Sequence, residues 1–179
     1  MQPRNPAVRE GLIFGAGLAV LLVINAVLNM YADIGWGQII TLLAGIGAML
    51  FAGVRAGQAT GRANAGMIAG LVTGLFSSAV DLVVVTALTI VNVDKVRRAY
   101  QTAADAAGGG IHYTNQSAVG FAVLGLVISL IVASLIGLGL GWLGGRIGSD
   151  RAAPPTQVYQ ESLYQGMPQP PQPPQNPPA

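Results

Sequence analysis

Chemistry in this chain has to begin at Asp81. The run from Ala65 to Val93, AGMIAGLVTGLFSSAVDLVVVTALTIVNV, holds no other ionisable side chain. As a helix rising about 1.5 Å per residue it reaches about 40 Å, more than the roughly 30 Å of a hydrocarbon core, so Asp81 belongs to a membrane span. A carboxylate at that depth costs about 2.5 to 3.5 kcal/mol on insertion scales; it must be neutralised, hydrogen-bonded or turned toward a wet cavity. Two roles follow. Asp81 is either an ion or proton site, or a protonated acid that serves as hydrogen-bond glue between helices.

Its candidate neighbours come from counting depth. With Gly11, Arg55, Gly66 and Arg146 as markers of one membrane edge, Asn25 and Thr41 lie fourteen residues in, Asp81 fifteen and Ser134 twelve. At about 1.5 Å per residue all four fall about 18 to 23 Å from that edge, as a polar layer just beyond the midplane. Asn25 and Asn29 share a helix face with Gly11 and Gly15, and Asp81 shares one with Gly74, Ser77 and Ser78. Polar groups are thus expected on the faces that pack against other helices, where interhelical hydrogen bonds satisfy them.

Enzyme chemistry fails on inventory. Without cysteine there is no disulfide, thiolate metal site or thiol redox couple. His112 is the single histidine and falls in a loop, away from any membrane-embedded serine that would need a base. No clustered metal ligands, Walker loop, HExxH or dinucleotide fingerprint occurs, so no enzyme activity, metal ion or cofactor is expected. Nucleic acid is excluded as a partner, because the nine basic residues are scattered and sit mostly at span ends.

The elements that must position Asp81 are helices in lipid. Of 179 residues, 52% are apolar and 9% charged, with mean hydropathy +0.56; globular domains carry about 25% charged residues. The expected fold is an all-α membrane protein with four transmembrane helices at about 11–30, 34–54, 65–93 and 118–145. Residues 1–10 precede them as a short polar N-terminus. The first apolar run is too long for the h-region of a signal peptide and reads as a retained span. An amphipathic outer segment is expected at 94–107, with Val93, Val96, Tyr100, Ala103 and Ala107 on one face. Asp94 either caps a new helix there or lies in a continuation of the third span, and Gly108-Gly109-Gly110 stops it. Small polar residues 57–64 read as a linker, and the Asn115-Gln116-Ser117 sequon as chance.

From residue 149 the composition changes to proline and glutamine, a tail expected to be disordered, with a cytoplasmic partner for its Pro-rich stretch as a possible use. Arg4, Arg9, Arg55, Arg62, Arg146 and Arg151 fall on one side and Lys95, Arg97 and Arg98 on the other. Six against three places both termini in the cytoplasm, with Arg55 and Arg146 as topology anchors. Eight arginines against one lysine, with abundant alanine and glycine, fit a bacterial inner membrane protein.

Small residues recur at helical spacing. Gly125, Ser129, Ala133, Gly137, Gly141 and Gly145 repeat every fourth position in span four, a glycine-zipper pattern that lets helix backbones approach. The seam serves packing within the chain, a homo-oligomer, or both. Gly11 to Gly15 and Gly66 to Gly70 open spans one and three alike, and Gly-x-Arg-x-Gly closes spans two and four. The spans therefore read as two glycine-rich hairpins in a parallel internal repeat. The functional expectation is a non-enzymatic structural or accessory membrane protein; the alternative is a small oligomeric transporter or channel with Asp81 as its site. Which applies turns on whether Asp81 faces a wet cavity or a dry seam.

Overall fold

The computed structural model describes residues 5–32 and 36–152, and over those residues it holds five α-helices and no strand. They are α1 (Pro6–Ala32), α2 (Gly37–Thr60), α3 (Ala63–Val91), α4 (Val93–Ala106) and α5 (Asn115–Asp150). α1, α2, α3 and α5 are long and apolar enough to cross a membrane, which makes this a multi-pass membrane protein. α1 and α5 overrun the expected spans at both ends and α2 overruns its span at the C-terminal end, because polar helix-formers continue the backbone hydrogen bonding past the apolar limit, whereas α3 starts at Ala63 and stops at Val91, short of the expected residue 93. Ile34 lies outside the described residues, as does the Pro-rich tail from residue 153 onward.

Local chemistry sets the helix ends. Pro6 opens α1, where a missing N–H costs nothing, and the Asn5 side chain accepts the Ala7 N–H at 3.1 Å. The expected linker at 57–64 is mostly helical instead: Gln58, Ala59 and Thr60 extend α2, and the Thr60 hydroxyl donates to the Ala56 carbonyl at 2.7 Å. Gly61 stops the helix at φ 65°, a left-handed conformation that glycine adopts freely. Arg62 alone separates it from α3.

The third span does not run on into residues 94–107. At Asn92 both the backbone N–H and the side-chain amide donate to the Leu88 carbonyl at 2.9 Å, ending α3 and starting α4 one residue later. Asn92 takes the cap position, and Asp94 sits in the first turn, where a carboxylate complements the helix dipole. Beyond α4, Gly108 at φ 74° turns the chain. Gln101 then ties down the loop, donating to the Ile111 carbonyl at 3.1 Å and accepting the Tyr113 N–H at 3.0 Å. Tyr113 packs between Tyr100, tilted at 31°, and Phe121, met edge to face at 72°, and Thr114 with Ser117 forms a capping box that starts α5. Asn115 of the sequon donates to Asp94 at 3.5 Å.

In the bundle α2 and α3 each touch both α1 and α5 as well as one another, whereas α1 and α5 do not meet. The end that carries the start of α1 and the end of α5 is the tightly packed one. Gly66 and Gly70 of α3 lie against Gly137, Gly141 and Gly145 of α5. A Cβ on Gly70 would sit 2.7 Å from the Gly141 Cα, and one on Gly141 would sit 2.8 Å from the Gly70 Cα. Only glycine fits there. The α2–α5 seam is reciprocal: Gly53 and Gly57 face the carbonyls of Gly141 and Gly145, while Gly144 and Gly148 face those of Leu50 and Val54. Each glycine thus meets the residue three positions before its counterpart in the other helix.

Gly11 and Gly15 bring α1 onto Ala69, Val72 and Thr73 of α3 in the same way. The core is accordingly made of small residues, Ala7, Ala52, Ala56 and Ala69, each no more than 1% exposed. Lipid tails are as apolar as leucine, so contact between backbones, and not burial of large side chains, holds such helices together.

The other end, where α4 lies, is looser. No residue of α5 between Val119 and Ile136 is buried. The six-residue stripe therefore does not form one seam. Ala133, Gly137, Gly141 and Gly145 meet α3, whereas Gly125 has nothing within 4 Å of its Cβ position and Ser129 is exposed. Every fourth residue advances about 400° around a helix, a drift of about 40° per step, so five steps carry Gly125 to the far side from Gly145.

Candidate functional site

Asp81 lies on α3, ten residues before its end, and lines an open cavity of about 450 Å³ beneath α4. Asn25, Asn29 and Met30 of α1 form one wall. Lys95 and Val96 of α4 form the rim, and Leu126 of α5 closes the far side. The cavity occupies the space left because α1 and α5 do not meet, and α4 runs from Asn92 against α5, with only the Lys95 side chain reaching the end of α1.

Asn25 and Asn29 project from one face of α1 because they are four residues apart, and the Asn29 amide donates to the Asn25 side-chain oxygen at 3.2 Å. On the opposite side Asn25 presses on Gly37 of α2, where any Cβ would collide with its oxygen. Asn25 thereby links the cavity to a second cleft of about 120 Å³ between α1 and α2, which Thr41 and Trp36 line.

Lys95 reaches back from the first turn of α4, and its ammonium donates to the Met30 carbonyl in the last turn of α1. A cation there satisfies an orphan carbonyl and complements the negative end of the α1 dipole. Sequence reasoning grouped Lys95 with Arg97 and Arg98 as an outer basic cluster and missed its place at the site. The signal was the Asn92 break, which turns the first residues of α4 back toward α1.

The predicted site residues divide into two sets. Asp81, Asn25 and Asn29 share the cavity. Thr41 occupies the neighbouring cleft, its hydroxyl donating to the Gly37 carbonyl at 2.7 Å. Ser77 lies in the seam, 1% exposed, and donates to the Thr73 carbonyl at 2.8 Å. Ser134 donates to the Leu130 carbonyl of its own helix at 2.7 Å and takes no part in the cavity. Ser78 is half-buried on α3. Arg55 and Arg146 are exposed at the packed end, and the Arg146 guanidinium lies 5.7 Å from the Trp142 ring centre.

Polar groups in the seams are paired. Thr73, fully buried, donates to the Gly11 carbonyl of α1 at 3.2 Å and the Ala69 carbonyl at 2.9 Å. Asp81 differs: among the described residues its carboxyl has no hydrogen-bond or ion-pair partner, although no buried side-chain polar atom there lacks one. Asp81 is half-buried, and its side chain is part of the cavity lining. The Met30 carbonyl is taken by Lys95 and the Asn25 oxygen by the Asn29 amide, which leaves the Asp81 carboxyl and the Asn29 amide oxygen as acceptors, oxygens of the kind that hold a hydrated proton or a small hard cation. No protein family, curated protein or solved structure matches the chain.

Proposed function

We propose that the protein is a non-enzymatic, multi-pass membrane protein that binds a proton or small cation at Asp81, of the transporter or channel class. The observation that carries this reading is the unpartnered carboxyl of Asp81, part of the lining of a cavity that also holds Asn25 and Asn29. Structural glue would instead sit in a seam with its donors used, as Thr73 and Ser77 do. The glycine-packed end acts as a fixed frame that holds α1 and α3 on either side of the cavity. Arg9, Arg55, Arg62, Arg146 and Arg151 at the packed end against three basic residues in α4 support cytoplasmic termini and an α4 that faces outward. The reciprocal α2–α5 seam supports a parallel duplication of two glycine-rich hairpins, since equivalent glycines make equivalent contacts.

The test is counter-ion-balanced uptake in proteoliposomes. Wild-type protein should carry protons or a monovalent cation, Asp81→Asn should lose that flux while keeping its oligomeric state and melting temperature, and Asp81→Glu should retain part of it. Equal flux in wild type and Asp81→Asn would refute the reading.

A second reading, an accessory protein that works by helix association, is favoured by the upper half of α5. Leu135 there is 62% exposed and Leu124 54%, beside the unpacked Gly125 and Ser129. A homo-oligomer that uses this face would show as disulfide-linked dimers of a Gly125→Cys variant in membranes.

A further inference from the structure

Asp81 stands between an open space and a closed one. Toward α4 the cavity runs past Asn25 and Asn29 to the rim at Lys95. Toward the packed end the same face of α3 continues through Ser77, Thr73, Gly70 and Gly66, and every one of these is buried. Ser77 and Thr73 use their hydroxyl protons on backbone carbonyls. Below them the backbones of α3 and α5 touch at Gly70 and Gly141 too closely even for a methyl group. A water needs about 10 to 15 Å³ and two to four polar partners, and this seam offers neither.

Resting on the reading of Asp81 as a binding site, we infer that the site is one-sided: Asp81 exchanges protons or small cations with the α4 side of the membrane alone, through a dead-ended half-channel lined by Asn25 and Asn29. Release to the other side then requires the α3–α5 glycine seam to part.

The absence of cysteine makes the test direct. Full-length protein carrying Asn29→Cys, Asn25→Cys or Asp81→Cys is placed in sealed vesicles of known orientation and treated with a membrane-impermeant methanethiosulfonate that bears a quaternary ammonium group. Only a thiolate reacts, and a thiolate forms only where water reaches. Ala99→Cys marks the α4 side, Gln58→Cys the packed end, and Ser77→Cys the seam; Ala99 and Gln58 are exposed and Ser77 is buried.

The three cavity positions should react from the side that labels Ala99→Cys, at rates that fall with depth yet exceed Ser77→Cys by about tenfold or more. Labelling of Asn25→Cys or Asp81→Cys from the Gln58→Cys side, from both sides, or from neither would overturn the inference. Asn25→Cys and Asn29→Cys carry the test if Asp81→Cys does not assemble. One-sided labelling with unchanged flux in Asp81→Asn would preserve the access route and remove the transport reading; the opposite pair of results would do the reverse.

Discussion

Adding one methyl group at Gly141 should weaken the fold, while the same addition at Gly125 should not. A Cβ on Gly141 would lie 2.5 Å from the Gly66 carbonyl oxygen and 2.8 Å from the Gly70 Cα. Ordinary contacts begin near 3.4 Å, so α3 and α5 must separate by about 1 Å, and the dispersion contacts along Gly66, Gly70, Gly137 and Gly145 loosen together. Overpacking of this kind costs about 1 to 3 kcal/mol. Replacing glycine with alanine inside a helix returns up to about 1 kcal/mol. The net loss for Gly141→Ala is about 1 to 2 kcal/mol, and Gly125→Ala, with open space around it, gains a fraction of 1 kcal/mol. The two variants should differ by about 2 kcal/mol, a factor of about thirty in the unfolding equilibrium. Steric trapping in bicelles, or reversible unfolding in mixed micelles, measures that difference. Equal stabilities for the two variants, or a Gly141→Ala protein at least as stable as wild type, would show that the glycine seam is not what holds these helices.

Further expectations rest on single residues. Thr73→Val removes the one hydroxyl that ties α3 to the Gly11 carbonyl and should cost about 0.6 kcal/mol, and no more than about 2, by the same unfolding measurement. Gly61→Ala, at φ 65°, should cost about 1 kcal/mol through the strained turn between α2 and α3. Gln101→Ala should free the loop after α4, raising amide exchange at Tyr113 severalfold while exchange in α3 and α5 stays unchanged.

Much of the scaffold was legible in the residues because lipid imposes a simple rule: a span is a long run without charge. The sharing of one face by Asn25 and Asn29, and their depth match to Asp81, needed only helical periodicity. What escaped depends on geometry beyond one helix. Lys95 joins the cavity because the break at Asn92 sets the first turn of α4 within side-chain reach of the end of α1, an angle that no periodicity encodes. Gly125 and Ser129 leave the seam because a four-residue repeat walks around a straight helix, and where it stops touching depends on where α5 parts from α3. Thr41 and Ser134 sit at about the right depth, but rotation about the helix axis turns one into a neighbouring cleft and the other onto its own backbone. Depth places a residue along the membrane normal; only packing says which way it faces.

The central claim is that Asp81 meets water inside a membrane-spanning helix, and spin-label accessibility along α3 in lipid nanodiscs tests it most directly. Val83, 69% exposed on the outer surface of the same helix, provides the lipid-facing reference. A nitroxide at position 81 should collide more often with a water-soluble nickel chelate than with oxygen, and one at position 83 should show the opposite ratio. Oxygen-dominated relaxation at position 81, or protection there from both reagents, would mean that the acid faces lipid or a dry interface, and the account would be wrong.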